Sequence, residues 1–131
     1  MKYHLEIDEK QVYVIQAACE LLARLYMGKL TEISNLFVDS MSDDDFHSFK
    51  EQIKSLEPLI TGLPLNGYHG IRGSSINENA RIAYDIYQVL RHHLASEANR
   101  EGRIGIGFDP PSAVSTTCQL AFIESSQETS K

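Results

Sequence analysis

Four polar side chains recur along one line of a segment that is otherwise largely apolar. In "GYHGIRGSSINENARIAYDIYQVLRHH" (67–93), Arg81, Asp85, Gln88 and His92 follow helical spacing, so they fall on one face of a helix. Apolar residues flank this line on both sides, which leaves little of the helix to face water. A polar line between two buried stripes needs partners, either from the protein itself or from a ligand.

The same residues also have a simpler interpretation as an ordinary solvated face. Arg81 and Asp85 are four positions apart and can form a surface salt bridge, worth about 0.3–0.5 kcal/mol. On the flank, Tyr84 and Tyr87 are more typical of a core than of catalysis, although either ring suits stacking on a base. The pattern therefore predicts a candidate functional site but does not identify a reaction.

Three glycines at three-residue intervals, Gly67, Gly70 and Gly73, precede this helix. Glycine permits positive φ and close approach of the backbone, and a helix N-terminus offers N–H groups to an anion. The spacing matches neither GxxxxGK[ST] nor GxGxxG, so an ordinary loop remains the alternative. The candidate ligand-binding residues are Arg24, Tyr68, His69, Arg72, Arg81, Tyr84, Asp85, Gln88, Arg91 and His92.

Neither metal binding nor a known catalytic arrangement is indicated. His92 and His93 are adjacent on a helix and point about 100° apart, so they cannot share one ion. The chain has no HExxH, CxxC or GxSxG sequence, which are the local signatures of metal sites and of one class of nucleophile. We expect no metal, no cofactor and no assigned catalytic residue.

Composition predicts a single soluble domain. The chain has 131 residues, 42% of them hydrophobic, and a net charge of −6, which argues against non-specific binding to nucleic acid or a membrane surface. Two cysteines, Cys19 and Cys118, without a signal-peptide pattern predict reduced thiols and a cytoplasmic protein. No apolar run approaches the roughly 20 residues that a membrane span needs.

Helical periodicity accounts for most of the chain. Asp8, with Gln11 three residues later, predicts the start of a helix over 9–27, whose apolar arc is wide enough to be buried in the domain or at a subunit interface. A short helix is expected within "KLTEISNLFVDSM", and Ser42 opens another that Pro58 ends or distorts. The last helix, 76–95, is expected to begin at a capping box of Ser75 and Glu78, after a loop.

Alternating residues at the two ends of the chain predict three strands. These are 2–7, 103–108 ("RIGIGF") and 117–123 ("TCQLAFI"). The expected fold is α+β, with three or four helices packed on a small antiparallel sheet of the N-terminal strand and two C-terminal strands. We expect one domain over 1–123 and a flexible polar tail over 124–131.

Parts of the chain resemble a group of small, mostly uncharacterised bacteriophage proteins. The shared pattern is AR-x-AYD-x-YQV-x-RH-x-L, here within "ENARIAYDIYQVLRHHLA" (78–95), together with "ARLYMGKL" (23–30) and "YHGI" (68–71). The resemblance implies a phage origin and a compact α+β protein, and it carries no established activity. By analogy with the phage sponges of the Thoeris anti-defence type, we expect a homo-oligomer that sequesters an anionic, nucleotide-like signal without cleaving it.

Two other functions are compatible with the sequence. The acidic stretch "DSMSDDD" (39–45) could mimic a phosphate array, which would make the protein an inhibitor that binds a host factor. Alternatively, His69, His92 and Asp85 could serve as acid and base in a small nucleotide hydrolase. The sequence does not identify the ligand, the host partner or the oligomer number.

Overall fold

The protein is built from helices. In a computed structural model of the chain, the structure describes residues 1–102 and 109–126. The elements follow one another as α1 (Glu9–Tyr26), a 3₁₀ segment (Leu30–Ser40), α2 (Asp43–Lys54), α3 (Glu57–Thr61) and α4 (Glu78–Arg100). The main structural unit is the pair α1 and α4, which pack along each other.

The predicted α+β fold with an antiparallel sheet is wrong. No strand occurs within residues 1–102 and 109–126, and both 2–7 and 117–123 are irregular. Alternation makes a strand only where a neighbouring strand supplies hydrogen bonds. Tyr3 and Leu5 are instead 86% and 74% exposed. The third predicted strand, 103–108, lies outside the described residues.

The first helix begins and ends where its sequence predicts. The Asp8 carboxylate accepts a hydrogen bond from the backbone N–H of Gln11 at 2.9 Å, and the Gln11 side chain accepts one from the N–H of Asp8 at 2.9 Å. This reciprocal pair satisfies two free donors of the first turn. After Met27 the chain turns at Gly28, whose φ of +93° favours glycine. The predicted helix 9–27 is confirmed.

The middle of the chain forms short helices with little burial. The predicted start at Ser42 is confirmed, because its hydroxyl accepts the N–H of Asp45 at 3.2 Å. Pro58 was expected to end or distort this helix; α2 ends at Lys54, and Pro58 lies in the first turn of α3. Glu57 is buried and accepts the N–H of Thr31 at 3.2 Å, which ties α3 to the 3₁₀ segment.

The last helix starts two residues later than predicted and extends further. Its N-cap is Asn77, whose side chain accepts the N–H of Asn79 at 2.8 Å. The predicted capping box fails because both its members have other partners. The Ser75 hydroxyl contacts His69, and the Glu78 carboxylate accepts hydrogen bonds from Thr116.

Burial follows the contact between α1 and α4 and also the opposite face of α4, where Asp85 and Val89 are buried. Val12 of α1 packs with Leu90 and Leu94 of α4, and four half-buried isoleucines surround them: Ile7, Ile15, Ile86 and Ile123. Small residues, Ala23 on α1 and Ala80 and Ala83 on α4, are also buried. Many large apolar side chains on α1, the 3₁₀ segment and α3 remain exposed.

Candidate functional site

The polar line of α4 is occupied by a later part of the same chain. Asp85, only 3% exposed, accepts the backbone N–H groups of Val114 at 2.9 Å and Ser115 at 3.0 Å. Gln88 donates to the carbonyl of Ser112 at 3.0 Å. We call residues 112–116 the C-terminal strap. Its backbone supplies the partners that a buried polar line requires.

Glu78 extends this line by one turn towards the N-terminus of α4. Its carboxylate accepts the Thr116 hydroxyl at 2.7 Å and the Thr116 N–H at 3.1 Å. The hydrogen bond from the Thr116 hydroxyl, followed by that from the Thr116 N–H, holds the pKa of Glu78 below its ordinary value of 4.5. Sequence analysis missed Glu78 as a member of the line, although its spacing of three residues from Arg81 continues the pattern.

Arg81 fixes the glycine loop to α4. Its guanidinium donates from Nε to the carbonyl of Ile71 at 3.1 Å and from Nη2 to that of Gly73 at 2.6 Å. Backbone carbonyls thus take the place that a ligand anion was predicted to fill. Two of the five donors of the guanidinium are engaged in this way.

His69 holds the other end of the loop. Its backbone N–H donates to the carbonyl of Met27 at 2.9 Å, and its ring Nε2 lies 2.9 Å from the carbonyl oxygen of Thr61. Since a carbonyl only accepts, Nε2 carries the proton, and Nδ1 is free to accept the Ser75 hydroxyl at 3.3 Å. This arrangement makes His69 a loop anchor.

The three loop glycines play a different part from the one predicted. Positive φ angles occur among the described glycines at Gly28, Gly62 and Gly102, and at none of the three loop positions. Close packing does occur at Gly67, where a Cβ would lie 2.8 Å from Cβ of Leu63. The loop therefore uses glycine at that position to fit against its own backbone and side chains.

A second group of charges links α1 to α4. Arg24 pairs with Glu20 at 3.4 Å and with Glu32 of the 3₁₀ segment at 2.9 Å. The pKa of Tyr87 is raised above its ordinary value, mainly by burial of the hydroxyl. The hydrogen bond to the Glu20 carboxylate and the negative charge of Glu20 raise it further. Arg91 donates to the Tyr87 hydroxyl at 3.1 Å and lies over the same ring. Glu20 and Glu32 were not predicted, although the spacing of Glu20 and Arg24 suits an ion pair.

A groove of about 340 Å³ runs between α1 and the 3₁₀ segment. Its walls include the apolar side chains of Tyr13, Ala17 and Leu36 and the polar side chains of Gln16 and Arg24. Because Glu20 and Glu32 also line this groove and surround Arg24, the site does not offer an unpaired cation to a phosphate.

The remaining predicted residues do not converge on one pocket. Tyr68 is 54% exposed and has the Lys29 ammonium 4.2 Å from its ring centroid, and Arg72 is exposed. Tyr84 contacts Tyr87, with ring centroids 6.1 Å apart. His92 is half-buried and lies seven residues, or about 10 Å along the helix, from Asp85. Two members of the acid–base set considered for a hydrolase, His69 and Asp85, are engaged in hydrogen bonds with the backbone.

Neither a metal-binding cluster nor a membrane-spanning helix occurs in the part of the chain that the structure describes. Within residues 1–102 and 109–126, no group of three or more His, Cys, Asp or Glu side chains is arranged to hold a metal ion. Across the same ranges, no helix combines the length and the apolar character required to cross a bilayer.

No family model, no curated protein and no solved structure matches this chain.

Proposed function

We propose that this protein is a non-catalytic binding protein that holds a basic, apolar-faced segment of another protein. The binding face consists of the exposed apolar residues of the 3₁₀ segment, 36–38, and the acidic residues Asp39 and 43–45; we call it the acidic face. The observation that carries the proposal is the direct succession of exposed apolar and exposed acidic side chains.

The apolar part of the acidic face is a run of three residues. Leu36, Phe37 and Val38 are 64%, 42% and 46% exposed. Phe37 has an edge contact with Phe49 of α2, with ring centroids 6.1 Å apart. A consecutive run of exposed apolar residues in an ordered segment favours aggregation unless a binding partner covers it.

The charged part is formed by four exposed carboxylates. Asp43, Asp44 and Asp45 occupy the first turn of α2, where the helix dipole favours negative charge. Neither these three nor Asp39 forms an ion pair of 4 Å or less with a residue of the described ranges. They remain available to cations of a partner.

These two parts together favour an amphipathic helix rich in Lys and Arg as the partner segment. Such a helix places an apolar stripe against exposed side chains and keeps its cations at the rim. The net charge of −6 would accelerate association with a basic protein. If the resemblance to bacteriophage proteins reflects a phage origin, the partner is a host protein and the role is counter-defence.

Neutralising the acidic face tests this proposal. The triple variant Asp43→Asn, Asp44→Asn, Asp45→Asn should lose partner recovery after chemical crosslinking in cells. The matched control is Glu6→Gln, Asp109→Asn, Glu124→Gln, which changes the net charge equally at exposed positions elsewhere. Equal recovery by both variants would refute the proposal, provided that circular dichroism shows both to be folded.

Sequestration of a nucleotide-like signal is a second proposal, restricted to groups that the fold leaves accessible. Tyr68 is exposed beneath the Lys29 ammonium, and Arg72 lies four residues further along the loop. An exposed aromatic ring with an ammonium group at its face suits a base and a phosphate, and Arg72 is a second candidate cation. A thermal shift with cyclic dinucleotides or ADP-ribose that Arg72→Ala abolishes and Arg100→Ala preserves would support it. No shift with either class of ligand counts against it.

A further inference from the structure

Residues 56–68, which include α3 and the start of the glycine loop, expose many large apolar side chains and no exposed charge. Leu59 and Ile60 are 81% and 62% exposed. The charged residue of this stretch, Glu57, is buried and accepts the N–H of Thr31 at 3.2 Å. We call residues 56–68 the apolar segment; its exposed apolar side chains are Leu56, Leu59, Ile60, Leu65 and Tyr68. Exposed apolar surface of this kind marks an interaction site.

Hydrogen bonds hold the apolar segment in a compact form. The N–H of Gly67 donates to the carbonyl of Pro64 at 2.9 Å. The ring of His69, directly after the segment, donates to the carbonyl of Thr61 at 2.9 Å. The loop after α3 therefore has its two ends joined, as in a compact surface loop, with Leu65 near its tip. The apolar side chains are presented to solvent by an ordered backbone.

Cations flank the apolar segment on both sides. Lys54 lies two residues before it, and Arg72 lies four residues after it. The Lys29 ammonium lies 4.2 Å from the ring centroid of Tyr68, within the segment. None of these three cations forms an ion pair of 4 Å or less with a residue of the described ranges. Their charges are available to an anionic surface.

The local charge around the apolar segment differs from that of the whole molecule. Between Glu51 and Glu78, the buried Glu57 is the only acidic residue in the sequence. The acidic run 43–45 is at the opposite end of α2, about 15 Å along the helix from Lys54. That distance exceeds the Debye length of about 8 Å at physiological salt. The net charge of −6 therefore does not set the potential at this surface.

We infer that the apolar segment binds the surface of an anionic lipid bilayer. Its leucine and isoleucine side chains insert at the boundary between headgroups and acyl chains, as those of interfacial protein segments do. Tyr68 lies at the level of the headgroups, where aromatic rings are favoured. Lys54, Arg72 and Lys29 contact the lipid phosphates, and cations this close to an anionic leaflet strengthen binding.

The shape and charge of the apolar segment favour lipid over a protein partner. A protein interface requires complementary shape around each side chain, whereas fluid lipid accommodates side chains that protrude as far as Leu59 and Ile60 do. The flanking cations match the negative potential of a leaflet. The same cations would repel the basic partner of the acidic face, so the two surfaces bind different partners.

Co-sedimentation of the full chain with lipid vesicles tests the inference. The protein should pellet with vesicles of equal parts phosphatidylcholine and phosphatidylglycerol. The double variant Leu59→Gln, Leu65→Gln should bind about tenfold more weakly or less, because each inserted leucine contributes hydrophobic free energy. The matched control Leu5→Gln, Leu22→Gln changes two exposed leucines elsewhere and should bind as the wild type does.

A second pair of variants tests the role of the cations. Lys54→Gln, Arg72→Gln should weaken binding to the anionic vesicles by about tenfold or more, because each cation near the surface contributes. Lys2→Gln, Lys10→Gln changes the net charge equally at exposed positions on the N-terminal part of the chain and should weaken it much less. Vesicles of phosphatidylcholine alone should bind the wild type more weakly than the anionic vesicles.

A fluorescent reporter shows directly which side chain inserts. The chain has no tryptophan, so a single substitution provides the only indole. Leu59→Trp should shift its emission to shorter wavelength on anionic vesicles, because the indole leaves water. Leu5→Trp, at a similarly exposed position, should not.

Several outcomes would overturn the inference: no pelleting with anionic vesicles, equal binding to neutral vesicles, equal loss in both leucine pairs, or no emission shift at position 59. A photoreactive group at position 59 that crosslinks in cells to a protein and to no lipid would also overturn it. None of these substitutions alters the acidic face. The leucine pair also leaves Tyr68 and Arg72 intact, so lipid binding is separable from binding of a free nucleotide.

Discussion

Asp85 shows how a residue suited to chemistry can instead serve the fold. Its carboxylate is buried, and two successive N–H donors of the C-terminal strap satisfy it. Hydrogen bonds to a charged group are stronger than those between neutral groups. The sequence left open whether the line through Asp85 is solvated or needs partners, and the structure buries Asp85 and supplies the partners. The sequence could not predict that the partners lie about 30 residues later, because the strap contributes backbone groups that carry no side-chain signature.

Replacing Asp85 should release the strap and destabilise the protein. Asp85→Ala removes two charge-assisted hydrogen bonds, so we expect the free energy of unfolding in urea to fall by about 3 kcal/mol. Asp39→Ala, at an exposed position, is the control and should change it by less than about 0.5 kcal/mol. Equal effects of the two substitutions would show that Asp85 does not anchor the strap.

The attachment of Thr116 should weaken in acid. Its hydrogen bonds to Glu78 lower the pKa of this carboxyl in the folded state, so the folded protein binds the proton less readily than the unfolded chain. The resulting stabilisation is present above the ordinary value of 4.5 and is lost as the pH falls through the lower, folded value. The protection factor of the Thr116 amide in hydrogen exchange, which is the intrinsic rate divided by the observed rate, should fall over that range, and Glu78→Gln should remove this pH dependence.

At the scale of elements, capping residues correctly predicted where α1 and α2 begin, whereas alternating apolar residues wrongly predicted strands. The start of α1 follows from Asp8 and Gln11, and that of α2 follows from Ser42, because each cap is formed by residues a few positions apart. The segments 2–7 and 117–123 alternate as strands do, but the structure forms no sheet from them. Strand formation depends on a distant partner, which alternation in one segment does not specify.

Gly28 is one position where an element boundary depends on glycine. Its φ is +93°, and a Cβ there would lie 2.0 Å from Cγ2 of Thr61 on α3. Gly28→Ala combines backbone strain with a steric clash and should lower the free energy of unfolding by about 2 kcal/mol or more.

Gly70→Ala is the matched control for Gly28→Ala. Its φ is not positive, and a Cβ there meets nothing within 4 Å. It should be neutral or stabilising by up to about 1 kcal/mol, because alanine restricts the unfolded chain. Thermal melts should show a lower melting temperature for Gly28→Ala and an unchanged or higher one for Gly70→Ala. A stable Gly28→Ala protein would contradict the close packing of α3 on this turn.

At the scale of the whole molecule, the chain buries a modest core and exposes two different surfaces. The acidic face combines apolar side chains with unpaired carboxylates, whereas the groove between α1 and the 3₁₀ segment contains charges that pair with each other. The wide apolar arc of α1 and the acidic run at 39–45 were both visible in the sequence. The sequence did not show which side of α1 is covered, because α4 covers it through contacts between residues far apart in the chain.

The central claim, binding of a basic partner at the acidic face, is tested most directly by photo-crosslinking in cells. A photoreactive phenylalanine analogue is placed at Phe37 of the acidic face or at Phe122, which is 84% exposed on the C-terminal segment. We expect position 37 to crosslink to a Lys- and Arg-rich amphipathic helix of one protein, with loss of the crosslink when Asp43–Asp45 are neutralised. Absence of a crosslink at position 37, or the same crosslinked proteins at both positions, would contradict the claim.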